Sequence, residues 1–169
     1  RDSVRDFINQ KVMILGGDRE LCEELNDVYL KESLCNPDCK VRYCSSEEAA
    51  LIKYMENSFL AMKNIFNNQF KEFYDKHFGL RVLDENFNKM LEVFYTDERM
   101  GLFPQKYTVP GPDGDLGYGG KCLPKDISAI ISEGKRQGTE LSLLERVQEV
   151  NDKIRTNRDW EAIDGAFSK

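Results

Sequence analysis

The apolar positions of this chain change their period once. Near the N-terminus, Lys11 to Leu15 (KVMIL) is a short apolar run that stops at Gly16-Gly17 and reads as a strand. Asp18 to about Ser33 repeats its apolar residues at helical spacing, with Leu21, Leu25, Val28 and Leu30 predicted inward, and Lys40 to Tyr43 reads as a second strand. That strand-helix-strand piece is too small to be a domain by itself. From Ser45 onward the pattern is helical. Ser45 and Glu48 have the spacing of a capping box, and Ile52, Met55, Phe59, Met62, Phe66, Phe70 and Phe73 form one apolar stripe. A helix unbroken to about Lys76 would run roughly 45 Å at 1.5 Å per residue, more than a small domain covers alone. A second subunit is therefore expected against the stripe; the alternative is that the stripe is core beneath the later helices. Gly79 interrupts the pattern, and Asp84 is placed to cap a shorter helix through about Tyr95. Two helices, near Pro124 to Glu133 and Leu141 to Arg155, close the pattern on either side of Gly138. Between them and the earlier helices, Asp97 to Cys122 holds six glycines and is long enough that function explains it better than connection. The fold expected is mainly α with a small α/β piece at the N-terminus.

Composition narrows the functional classes. With 40% apolar residues the chain can build a core, and its net charge of −6 argues against general affinity for nucleic acid. No apolar run reaches the roughly 18 residues that span a bilayer, and Arg-Asp-Ser-Val-Arg-Asp has no signal-peptide core, so no membrane partner is expected and the cytoplasm is the default compartment. Lys53, Arg99, Lys106, Lys121 and Lys125 are cations enough for one small anionic molecule if they converge. Five cysteines make an odd set, read as reduced thiols. The spacing Cys35-x3-Cys39-x4-Cys44 raises a zinc question, but paired short spacings are missing and the sole histidine is His77, so no metal is assigned.

The densest chemistry lies in Tyr118-Gly119-Gly120-Lys121-Cys122-Leu123-Pro124-Lys125-Asp126. It sets a thiol where a glycine-rich loop meets a helix start, with lysines on either side and an acid four residues on. A helix N-terminus and nearby ammonium groups favour thiolate, which suits a nucleophile. The plainer reading is that the glycines shape a turn and Pro124 opens a helix. A phosphate-binding P-loop is ruled out by spacing, since Asp115 stands five before Gly120 and Cys122 replaces the required Ser or Thr. Lys53 and Asn57, four apart on the long helix, share one side of it and can present a cation and a donor to one developing oxyanion.

The string GYGGKCLPKD closely resembles the active-site loop of the UDP-glucose/GDP-mannose dehydrogenase family. Glu47 to Ala61 (EEAALIKYMENSFLA) looks like the start of that family's long central helix, including its lysine and asparagine. Ser3 to Gly17 is similar to the end of the family's cofactor domain, and Asp97-Glu98-Arg99-Met100-Gly101 also matches. The resemblance covers about residues 1 to 155. It implies residues 1–44 as the C-terminal part of a Rossmann-like NAD-binding domain and 45–169 as a central dimerisation domain carrying the cysteine, paired through helix 45–76. It further implies an NAD-dependent oxidation of the sugar C6 alcohol of a nucleotide sugar, UDP-glucose foremost, to a carboxylate through thiohemiacetal and thioester intermediates. In that scheme Cys122 attacks, Lys53 and Asn57 steady the oxyanion and contact the sugar, and Asp126 orients water. Lys125 lies near the cofactor, beside Cys122. Arg99 reaches the neighbouring subunit's substrate, and Lys106, Tyr107 and Gly119 contact substrate.

The chain departs from the family too. The Gly-x-Gly-x-x-Gly dinucleotide turn is not in the sequence, nor is the family's catalytic glutamate, so the chain reads as part of a longer enzyme and is expected to be inactive alone. Two other readings stay open: a helical dimerisation module that inherited the loop without its activity, and a thiol-based redox or acyl-transfer protein.

Overall fold

A computed structural model describes residues 3–32, 36–78, 84–101 and 108–162, without the side chains of Ser3, Asp6 and Asp84. The architecture is mainly helical with one small parallel sheet, in the order α1 (Ser3–Ile8), β1 (Val12–Gly16), α2 (Arg19–Lys31), β2 (Lys40–Cys44), α3 (Ser46–Phe78), α4 (Asp84–Phe94), α5 (Cys122–Arg136) and α6 (Ser142–Ile154). Short 3-10 turns occupy Glu98–Met100 and Asp159–Ala162. No helix among the described residues is long and apolar enough to cross a membrane. The chain divides into two compact units, Arg1–Met55 and Glu56–Lys169.

In the first unit β1 and β2 pair in parallel, Val12 against Lys40 through Gly16 against Cys44, with α2 as the crossover. Asp18 caps α2 by accepting the Leu21 N–H at 3.1 Å. Both strands and this helix match the pattern read from sequence; α1, a helix of six residues, carries too short a period to be read. The inward assignment of Leu21, Leu25, Val28 and Leu30 does not hold: all four are exposed, and Cys22 is the buried residue of α2. Two strands make too narrow a sheet to cover an entire helix face. The capping box at the start of α3 is formed as read, Glu48 N–H to Ser45 Oγ at 3.1 Å and Ser45 N–H to Glu48 Oε2 at 2.8 Å.

α3, 33 residues and about 50 Å long, belongs to the second unit from Glu56 onward. Its inner face is unexpectedly polar: Ser58, Asn64, Asn67, Asn68 and Lys71 are buried beside Ala61 and Ile65. Ala61 and Ile65 pack with Tyr118, with Ile127 and Ile131 of α5, and with Val147 and Val150 of α6. A second cluster joins Phe87 and Leu91 of α4 to Tyr95 and Val109, where the Tyr95 hydroxyl donates to Asn67 Oδ1 at 2.9 Å. The predicted aromatic stripe faces outward instead of forming core. Phe59 is 54% and Phe73 65% exposed, and Met55, Phe66 and Phe70 are exposed with them.

Candidate functional site

Cys122 is the first residue of α5 and is exposed, so a thiol stands at the helix N-terminus as the sequence suggested. One turn on, the side chain of Asp126 is completely buried. Asn57 of α3 donates through Nδ2 to Asp126 Oδ2 at 2.5 Å, and Lys125 Nζ pairs with Asp126 Oδ1. A carboxylate removed from water must have its oxygens engaged. Here one oxygen fixes the amide of Asn57 and the other the ammonium of Lys125. Lys53 lies on α3 one turn before Asn57.

The loop before Cys122 is held residue by residue. Gly117 N–H donates to Asn68 Oδ1 at 3.1 Å, and Asn68 is oriented by its own donation to Asn64 Oδ1 at 2.9 Å. Asn151 of α6 grips Tyr118 at both ends: Tyr118 N–H donates to Asn151 Oδ1 at 2.7 Å, and Asn151 Nδ2 donates to the Tyr118 carbonyl at 3.1 Å. Gly120 N–H is shared by the two oxygens of Asp159, each at 3.1 Å. Gly117 must be glycine, because its φ is +70° and a Cβ there would lie 2.3 Å from Asn151 Oδ1. A Cβ on Gly119 would meet the Arg155 guanidinium at 2.2 Å. That buried guanidinium is held by Asp113 at 2.6 Å, by the carbonyls of Asn157 at 2.7 Å and Leu116 at 3.3 Å, and by Asp159 at 3.4 Å.

The remaining residues singled out from sequence are distributed as follows. Arg99, on the 3-10 turn after α4, is exposed and paired with Asp97 at 2.5 Å. Lys106, Tyr107, Cys35 and Gly79 lie outside the described residues. A cleft of about 370 Å³ opens beside the loop, and its one lining cation is Arg155, already engaged by Asp113 and Asp159. Among the described residues no group of three His, Cys, Asp or Glu could hold a metal ion. The dinucleotide implied by the resemblance has no Gly-x-Gly-x-x-Gly turn among the described residues to hold it: β1 runs into Gly16-Gly17-Asp18, where a Cβ on Gly16 would lie 2.5 Å from Ala49 Cβ and 2.9 Å from the Ser45 carbonyl oxygen, so this turn is packed against the start of α3. Asn68, Asn151, Arg155 and Asp159 were not singled out. The one signal that would have found three of them is a polar residue every fourth position at 151, 155 and 159, the first among the apolar residues Val147, Val150 and Ile154.

A long helix whose buried face is lined with amides, packed on two shorter helices with a thiol at the mouth of one, defines the cysteine-bearing central domain of a nucleotide-sugar dehydrogenase. Comparison with known proteins agrees, since residues 47–153 match the model of the UDP-glucose/GDP-mannose dehydrogenase family, central domain. The chain belongs to that family. It is 33% identical over 153 residues to UDP-glucose 6-dehydrogenase AglM of Haloferax volcanii, a match covering 89% of this chain and 32% of the relative. It is 30% identical over 163 residues to the UDP-glucose 6-dehydrogenase of Rickettsia bellii, covering 96% and 33%. A solved UDP-glucose dehydrogenase from the hyperthermophilic archaeon Pyrobaculum islandicum superposes with a TM-score of 0.68 at 28% identity, over 88% of this chain and 31% of that one. The chain thus spans about a third of the length of the relatives it matches.

Proposed function

We propose that the protein is the cysteine-bearing part of an NAD-dependent nucleotide-sugar 6-dehydrogenase acting on UDP-glucose or a close analogue. The observation that carries the reading is an exposed thiol at the first position of α5 with the Asn57-Asp126-Lys125 network beneath it. At the aldehyde stage Cys122 Sγ adds to the C6 carbonyl carbon and the displaced electron pair goes to oxygen. Asn57 steadies that oxygen, a role the resemblance also gives to Lys53. After the second oxidation water attacks the resulting thioester, the carbon–sulfur bond breaks and the sulfur departs with the electron pair. Asp126, sealed from solvent, acts through its partners as a positioning residue, holding the Asn57 amide and the Lys125 ammonium. The hydride acceptor named by the family resemblance is NAD. The described residues hold no Gly-x-Gly-x-x-Gly turn for its pyrophosphate, and residues 1–44 are assigned to the cofactor domain by resemblance alone.

The outward Phe59, Phe66, Phe70 and Phe73 of α3 support a homodimer through helix 45–76, within which Arg99 would reach the neighbouring subunit's substrate. The same outward aromatic face also suits a second reading, a dimerisation module without catalysis. The two are separated by following NADH formation from UDP-glucose with the full-length gene product. The dehydrogenase reading expects two NADH per UDP-glucose and none from Cys122→Ser. Turnover by Cys122→Ser at the wild-type rate would refute the covalent role, and no turnover by the wild type with UDP-glucose, GDP-mannose or an N-acetylated analogue would favour the module.

A further inference from the structure

We infer that Asn151, Arg155 and Asp159 are positioning residues: one stripe, running from the last turn of α6 through its C-cap to the 3-10 turn at 159–162, that sets the Gly117–Gly120 loop and thereby the place of Cys122. The inference rests on the proposed role of Cys122. The three residues are spaced by four and meet the loop in its own order. Asn151 holds both backbone groups of Tyr118, the Arg155 guanidinium fills the space where Gly119 has no side chain, and Asp159 takes the N–H of Gly120. Two residues later the thiol begins α5.

Packing alone does not explain these residue types. Asn151 is 1% exposed and stands in the apolar face that α6 turns toward Ile127 and Ile131, where an aliphatic side chain would serve the core without polar atoms to satisfy. Its amide instead reproduces the donor and acceptor that a neighbouring strand would offer Tyr118, giving an irregular loop a fixed backbone without a sheet. Arg155 is likewise buried; its guanidinium hydrogen bonds go to the segment 113–116 and to the turn 157–159 that carries Asp159, and it lies 5.9 Å from the centre of the Trp160 ring. Asn68 holds Gly117 from α3, so the loop is gripped by two helices. The N–H groups of Gly117, Tyr118 and Gly120 are therefore all engaged by side chains. These three are therefore not offered to an anion-binding nest of the kind a glycine-rich loop often supplies, and the backbone they fix leads into Cys122.

The test uses the full-length gene product and the variants Asn151→Ala, Asp159→Ala and Asp159→Asn. Three quantities are read: hydrogen exchange at the Tyr118 and Gly120 amides, the rate of Cys122 alkylation by iodoacetamide relative to Cys44, and kcat and KM for UDP-glucose. Loss of one such hydrogen bond is expected to speed exchange of the freed amide by roughly fivefold to tenfold. A thiol displaced by about 1 Å is expected to cost up to ~100-fold in kcat, with KM within about twofold. Cys122 alkylation should shift with it, and Asp159→Asn, which keeps an acceptor for Gly120, should recover most of each loss. Faster amide exchange with wild-type alkylation and wild-type kcat would overturn the inference, leaving the stripe a stabilising feature only. Unchanged exchange at both amides would overturn it as well. Should Asn151→Ala fail to fold, the two Asp159 variants give the same decision. Should the wild type show no turnover, the functional reading falls while exchange and alkylation still decide whether the stripe positions the loop.

Discussion

Asn57 Nδ2 lies 2.5 Å from Asp126 Oδ2, joining α3 to α5 across 69 positions of sequence. The carboxylate is buried and its other oxygen meets Lys125, so one side chain fixes two predicted site residues at once. Asp126→Asn removes the buried negative charge that Lys125 meets and sets an amide against the amide of Asn57. We expect a loss of about 1–3 kcal/mol in the urea unfolding free energy. Asn57→Ala should cost about 1 kcal/mol or more and, in the full-length product, should lower kcat more than it raises KM.

The two crowded glycines predict another ordering. Gly117→Ala must accommodate both a positive φ and a Cβ 2.3 Å from Asn151 Oδ1, whereas Gly119→Ala keeps its backbone and presses on the Arg155 guanidinium at 2.2 Å. Both should destabilise, Gly117→Ala by at least about 1–2 kcal/mol from its backbone alone. Thermal unfolding of the two variants, with Gly114→Ala as a comparison where no atom lies within 4 Å of the new Cβ, checks the order.

Tyr118 makes a prediction about alkaline stability. Its hydroxyl is buried without a hydrogen-bond partner among the described residues, and burial, with the charge of Asp152 adding to it, pushes the phenol well above the ordinary tyrosine range. A folded pKa raised above the unfolded value of about 10 means that stability is fully present below that pH and is lost as pH rises toward the folded pKa. Tyr118→Phe should therefore be about as stable as wild type at neutral pH and should lose less stability between about pH 9 and pH 11. Urea midpoints measured across that range give the comparison, and equal slopes for the two proteins would contradict it.

The outward aromatic stripe predicts assembly. Phe59→Asp combined with Phe73→Asp changes two side chains that are 54% and 65% exposed, so the fold should change by about 0.5 kcal/mol or less for each. Light scattering should find a dimer for the wild type and a monomer for the double variant, with closely similar far-ultraviolet circular dichroism.

What could be read from the sequence was what depends on local pattern. The strand pair, the crossover helix and the Ser45–Glu48 box each follow from spacing within a few residues, and each is found. Cys122 at a helix start follows from the glycine-proline punctuation around it, although α5 begins two residues earlier than Pro124 implied. The orientation of α3 could not be read in the same way. Its aromatic residues set the period, yet Asn64, Asn67 and Asn68 occupy the interior: the amides of Asn67 and Asn68 satisfy Tyr95 and Gly117, 28 and 49 positions away, and Asn64 orients Asn68. The grip of Asn151 and Asp159 on the loop was equally out of reach. It spans 33 and 39 positions and involves backbone groups, which leave no trace in hydropathy.

The amide-lined interior of α3 carries one more implication. A helix with its side chains is only about 10 Å across, so any molecule settling on the phenylalanine side lies a single diameter from the asparagine that fixes Gly117. The exposed phenylalanines and the asparagines that hold Tyr95 and Gly117 thus lie on opposite flanks of the same 33-residue helix, and a substitution on one flank is felt within one helix diameter of the other.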